Sequence, residues 1–280
     1  MSVRASFVLL SLTLFSVPVA AQDSPYFVTY THYLEERGAL EIAVSSTTGL
    51  PRHGQPAYTA PWLELEYGMS GWWTTEFYLE GVTTQGQGNG FTGVRVENRF
   101  RPLQSEHRVN PVLYLEYERV NEGSRIQKEI VGAGGLVFEP VADLTREWAH
   151  EIEAKLILSS AVGGWNLSEN VTMEKNLSRR EGLEFGYAAG VARPLGTLAN
   201  ADTCRLCREN FSVGAEVYGG FGSTQGFSPA EQRHYAAPVV AWKIRSETTI
   251  KASFGVGLTD TSDRFLLRVG LAYELPTGRR

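Results

Sequence analysis

The chain has little of what most small-site chemistry needs. Two cysteines among 280 residues exclude a disulfide-built scaffold. The five histidines, His32, His53, His107, His150 and His234, are scattered, and no pair stands at the i, i+4 spacing of a helical metal motif. No G-x-S-x-G nucleophile elbow is present. The stretch GAGG at 132–135 lacks the Lys-Ser/Thr that completes a phosphate loop. A formal net charge of −5 argues against nucleic acid as a partner. No run of about 18 apolar residues exists, so no transmembrane helix is expected. A membrane protein built from strands survives these exclusions, because a spanning strand needs only about 9–11 alternating residues.

The N-terminus is the first positive signal. Arg4 is followed by an apolar stretch from Phe7 to Val17, and Val19 and Ala21 are small enough for a cleavage site. Residues 1–21 are therefore expected to be a signal peptide, cut to leave Gln22 first. No cysteine follows the cut, so lipid anchoring is not supported. Residues 22–35 are expected as a periplasmic segment, 36–275 as the folded domain and 276–280 as a tail.

The domain alternates with a period of two. In 263–275, Phe265, Leu267, Val269, Leu271, Tyr273 and Leu275 share one face, and Leu266, Arg268, Gly270, Ala272 and Glu274 the other. Similar segments occupy 39–46, 62–68, 72–81, 93–100, 112–120, 151–158, 165–175, 183–192, 211–221, 234–244 and 249–258. The 234–244 segment is weakened by Pro238, which has no donor for a ladder. These predict about twelve strands, an even number as in single-chain barrels. With the N-terminus periplasmic, the outer loops fall at 47–58, 82–92, 121–149, 176–182, 222–233 and 259–264. The turns at the other end fall at 69–71, 101–111, 160–164, 193–210 and 245–247. Turn 193–210 is long for a periplasmic turn.

A soluble sandwich also alternates. Three features favour an antiparallel transmembrane β-barrel. Strands near ten residues are long for a soluble sheet and right for a tilted membrane strand. Aromatic residues sit near strand ends on the apolar faces: Tyr67, Trp73, Tyr117, Trp165 and Tyr273. Glu and Arg occupy the middle of the other faces, where a wet lumen would receive them.

The last strand resembles the terminal assembly signal of outer-membrane barrels through Arg268, Gly270, Tyr273 and Leu275. It departs from that pattern by ending on Leu275 with PTGRR beyond. PYFVTYTHYLEERGALEIAVSS, LELEYGMSGWWTTEFYLEG, EIEAKLILS, LEFGYAAGVA and the closing strand also resemble the outer-membrane proteins named for the meta-pathway of phenol degradation. That resemblance implies solute transport and carries no catalytic residues.

The inward faces make an acid-rich wall. The expected pore-lining residues are Glu64, Glu66, Glu76, Glu80, Arg95, Glu97, Arg99, Glu116, Glu118, Glu153, Lys155, Lys251 and Arg268. On the second to fifth strands, these are expected to pair as a cross-strand ladder of opposite charges. Glu41, Glu151, Glu184, Glu216 and Glu274 add further carboxylates. Rings of carboxylates favour cations. Cys204 and Cys207, in CRLC, are expected to form a short-range disulfide in an oxidising compartment. The longest non-alternating stretch, 121–149, carries an apolar tract from Leu136 to Leu144 and could fold into the lumen, cover the rim, or hide a strand or short helix.

The sum predicts a bacterial outer-membrane channel for small solutes, without enzyme activity, cofactor or metal. Its expected partners are membrane lipid and the barrel-assembly machinery. A non-conducting envelope barrel is the alternative, and a membrane-embedded hydrolase a more distant one.

Overall fold

The computed structural model describes residues 25–125 and 140–275. The expected signal peptide, the Gly-rich run 132–135 and the tail 276–280 lie outside the described residues. Thirteen strands follow in order: β1 (Leu40–Leu50), β2 (Tyr58–Ser70), β3 (Trp73–Thr84), β4 (Gly88–Phe100), β5 (Asn110–Asn121), β6 (Trp148–Val162), β7 (Trp165–Asn176), β8 (Glu184–Pro194), β9 (Phe211–Ser223), β10 (Gly226–Phe227), β11 (His234–Arg245), β12 (Thr248–Gly257) and β13 (Phe265–Leu275). The two-residue β10 only extends a hairpin from β9. The other twelve pair antiparallel with their neighbours in order. β1 pairs with β13, and β8 pairs with β9, so the sheet closes and no edge remains.

Each predicted strand is present, and most extend further. β3 and β4 run on to Thr84 and from Gly88, so the loop expected at 82–92 shrinks to residues 85–87. Gly86 and Gly88 supply the positive φ this tight turn needs. At the other end, Gly163 and Gly164, both with positive φ, join β6 to β7. Pro238 sits in β11 opposite Ala215, within a continuous register. The long connection after β5 begins with helix α1 (Glu122–Arg125) and resumes with helix α2 (Val141–Leu144), while 126–139 lies outside the described residues.

The alternation has a physical cause. On β13, Leu267, Val269, Leu271, Tyr273 and Leu275 are exposed, while Leu266, Arg268, Gly270 and Ala272 are buried. Exposed apolar side chains recur on the outward face of strand after strand, including Leu113, Leu115, Leu156, Val171 and Val217. A water-facing surface of this kind would be a large aggregation liability, whereas hydrocarbon accepts it. Aromatic pairs band both ends. Trp73 stacks on Phe100 and Phe211 on Trp242 at the short-turn end, and Phe91 meets Trp148 and Phe254 meets Phe265 at the loop end. Amphipathic rings favour those interfacial levels. The barrel is transmembrane by this construction.

Candidate functional site: the lumen

Register organises the lumen. Glu274 faces Glu41, and Glu41 faces Glu66 on its other side. Glu66 faces Glu76, Glu76 faces Glu97, and Glu97 faces Glu116. Glu116 faces Glu153, Glu153 faces Glu174, and Glu174 faces Glu184. One glutamate from each strand from β13 through β1 to β8 thus stands directly beside the next. Because barrel strands tilt, such a row climbs the wall from the short-turn end to the loop end. This corrects most of the expected ladder of opposite charges: along this row the residues directly opposite one another are like charges, and of the expected opposite pairs Arg95 with Glu118 stands directly across.

Like charges in this position repel, and cations set one step off the row offset them. Arg99 forms ion pairs with Glu66 and Glu76, and its Nε stands 3.2 Å from Glu97 Oε1. Arg95 reaches Glu80 at 2.7 Å and Glu116 at 3.3 Å. Lys155 Nζ lies 2.6 Å from Glu153 and 3.9 Å above the Tyr114 ring. Tyrosines supply further donors. Tyr78 donates to Glu76 and Glu97, and Tyr114 donates to Glu116. On the other side of the barrel, Arg268 donates to Thr47 and Tyr218.

Residues 25–35, expected as a periplasmic segment, instead cross the bore. They form no strand, and side chains of the wall satisfy much of their backbone. The amides of Val28 and Thr29 each donate to Glu216 Oε2 at 3.0 Å, and the Thr29 hydroxyl does so at 3.2 Å. Asn170 clamps Tyr30 from both sides: its Oδ1 accepts from the amide at 2.7 Å and its Nδ2 donates to the carbonyl at 3.0 Å. Ser168 also donates to that carbonyl. The Tyr30 hydroxyl donates to Glu97 at 2.8 Å. The Tyr26 ring packs on Ala192 and Val239, and a Cβ on Gly190 would lie 2.6 Å from it. Glycine at 190 is therefore what admits the ring.

The segment divides the interior. On one side lies a cavity of about 230 Å³, lined by Tyr26 to Thr31 and by the charged wall. Of the residues expected to line a pore, Glu64, Glu66, Glu76, Glu80, Arg95, Arg99, Glu116, Glu118, Glu153, Lys155, Lys251 and Arg268 do line it. Glu97 faces inward but is wholly buried, so it lines the wall without reaching the cavity. Ser124, in α1, lines the cavity too and donates to Glu80 at 3.1 Å, so the long connection does enter the lumen at its start. On the other side, a recess of about 1030 Å³ opens among Pro25, Thr31, Tyr33, Trp165 and the connection between β8 and β9. Cys204 and Cys207 form a disulfide in that connection.

Two features escaped the sequence reading. Ser168, Asn170 and Glu216 bind the segment, although only Glu216 had been noted as an inward acid. A signal existed, since the nine residues PYFVTYTHY contain no charged side chain, which is odd for a solvated extension. The second feature is His32. Its Nδ1 lies 2.8 Å from Ser159 Oγ and its Nε2 lies 3.0 Å from Glu106. This resembles a nucleophile–base–acid chain. Ser159 is 1% exposed and lines neither cavity, and the arrangement fastens the segment to the wall.

Closure, the outward apolar belt and the polar interior define the class: an antiparallel β-barrel of twelve long strands, of the bacterial outer-membrane type. No protein-family model and no curated protein matches the sequence. Solved structures match the fold. An outer membrane channel from Pseudomonas putida F1 superposes with a TM-score of 0.56 at 11% identity, covering 86% of this chain and 97% of that one. The KdgM porin gives 0.53 at 8% identity, with 85% and 99% covered. The NanC porin gives 0.52 at 11% identity, with 84% and 100% covered.

Proposed function

We propose that this chain is a passive channel of the bacterial outer membrane for small solutes, with a preference for cations. The reading rests on the glutamate row that climbs the lumen from one end toward the other. A path along it offers a cation successive carboxylates at strand spacing, and an anion successive repulsions. The cavity lining agrees, with seven carboxylates against five cations. The fold shared with porins supports passage, and the sequence resemblance to the meta-pathway phenol-degradation type supports transport. Export by residues 1–21, folding by the barrel-assembly machinery and contact with outer-membrane lipid complete the reading. It involves no chemical step.

One observation favours a second reading. Residues 25–35 occupy the bore, and a twelve-stranded barrel encloses much less space than the 16–18 strands of open porins. A closed, structural barrel would look like this. Single-channel recording in a planar bilayer, with a salt gradient, separates the two. The channel reading expects discrete steps and a reversal potential of cation-selective sign. A clear anion preference would remove the role given to the glutamate row. Silence from protein shown to be folded and inserted would favour the closed barrel.

A further inference from the structure

We propose that residues 25–35 are a displaceable gate, a peptide of the chain's own bound inside its own barrel. This rests on the channel reading above and adds the element that would regulate it. Three observations carry it.

First, the segment is bound to the barrel without being part of the ladder. Every strand pair closes without it, including β1 with β13 where the segment joins the barrel. Its amides bond to the side chains of Glu216, Asn170 and Thr74. Withdrawal would leave those side chains facing a polar, wettable lumen and would break no sheet hydrogen bond.

Second, it has a fixed pivot. Gly38 N donates to the carbonyl of Gly68 at 2.7 Å, and Gly68 N donates to Ala39 at 3.1 Å. Gly38 holds a φ of +84°, and a Cβ on Gly68 would collide with the backbone of Glu36. The chain is therefore held at 36–39 on the short-turn end, and what lies before can swing about that point.

Third, it covers the middle of the glutamate row. Tyr30 engages Glu97, the middle member of the row, which does not reach the cavity. Its ring also lies 4.7 Å from Lys155 Nζ and 5.4 Å from the Arg99 guanidinium. Thr31 lines both the inner cavity and the outer recess. Moving the segment would join the two spaces and uncover Glu97.

The latch is the Glu216 carboxylate with the Asn170 amide. The test uses the full-length chain with Phe27→Cys as a reporter, since that ring borders the cavity and touches the wall near Lys251 and Gly270. Reaction with a water-soluble maleimide is compared in the parent background and with Glu216→Ala or Asn170→Ala. Conductance is recorded on the same preparations, and heat-modifiable migration on gels verifies folding. Loss of a charge-assisted bond should speed labelling about tenfold in Glu216→Ala. Asn170→Ala should act in the same direction, and both should raise conductance or open probability. Unchanged labelling in both folded variants would overturn the gate. Conductance that persists unaltered while labelling rises would also overturn it, leaving the channel reading intact. Faster labelling from barrels that never conduct would support a displaceable plug and remove the channel.

Discussion

From β2 to β7 the inward side chains are rich in Glu, Arg, Lys, Tyr and Asn. From β8 round to β1 many are Ala, Gly, Ser and Thr, among them Ala188, Gly190, Ala192, Ala237, Ala241, Gly270, Ala272, Ala43 and Ser45. The two walls share the same outward belt and the same antiparallel ladder. Their inner faces differ because they meet different things. The charged wall meets itself, as Arg99 and Arg95 tie carboxylates on other strands and Lys155 ties Glu153 on its own. The small-residue wall leaves room and so receives the N-terminal segment, with Tyr26 on Gly190, Ala192 and Val239. A barrel filled by charge all round would be a solid cylinder. One lined by small residues all round would be an open tube. This molecule combines the two, and a foreign segment lies across the join.

The comparison can be broken from either side. The largest effect is expected on the charged wall. Arg99→Ala leaves Glu66, Glu76 and Glu97 facing one another without their shared cation. Breaking a buried ionic cluster in this way costs about 3–5 kcal/mol. A lowered urea midpoint of the detergent-folded barrel would show it, and an unchanged midpoint would mean that the cluster is solvated.

The small-residue wall should respond differently. Gly190→Val places a side chain where the Tyr26 ring now lies. Overpacking of this kind is worth about 1–3 kcal/mol, and the segment can yield where the barrel cannot. Faster labelling at Phe27→Cys with a nearly constant unfolding midpoint is the expected result. A fallen midpoint with slow labelling would show that segment and barrel unfold as one.

A subtler change sharpens the electrostatic half. Glu64 lines the cavity and has no ion pair among the described residues. Glu64→Gln should therefore leave stability nearly unchanged and lower the cation-to-anion permeability ratio by about twofold. Reversal potentials under a salt gradient read this directly. The same substitution at Glu76, which pairs with Arg99, should disturb folding first.

The smallest expected effect is on pH. His32 lies outside the spanning strands, and burial pushes its imidazole below the ordinary range. Glu106 opposes that shift, Arg101 adds to it, and Tyr33 packs against the ring. The folded state thus favours the neutral imidazole. Its contribution is complete above the ordinary value of about 6.5 and is lost as pH falls through the lower folded value. Labelling at Phe27→Cys, taken relative to that of a free thiol at the same pH, should accelerate modestly between about pH 7 and pH 5. His32→Gln should flatten that profile.

Much of this architecture could be read from the chain. The outward belt is legible because a strand's side chains alternate without exception, so Leu267, Val269 and Leu271 must share a face whatever the partner. The inward membership of Glu64, Arg95 or Lys155 follows from the same rule. The charge pairing was not legible. Whether Glu76 meets Arg95 or Glu97 depends on register, and shifting a partner by one residue exchanges the faces. The expected ladder assumed that charges of opposite sign would sit directly across. In the structure Arg95 does face Glu118, but along the glutamate row the direct neighbours are alike and Arg99 reaches its carboxylates diagonally. Nor could alternation show where residues 25–35 lie, because they belong to no strand and their partners on the wall are 39 to 189 residues away.

The sequence by itself therefore determined the strands, their two faces and the kind of surroundings each face requires, since these follow from local periodicity and side-chain polarity. The tertiary structure decided the rest. Closure and tilt turned isolated glutamates into one climbing row, because only register across nine strands can align them. It also decided that the N-terminal segment, free of charged side chains over residues 25–33, fills the space left by glycine and alanine, because vacancy inside a barrel is a property of all its walls together.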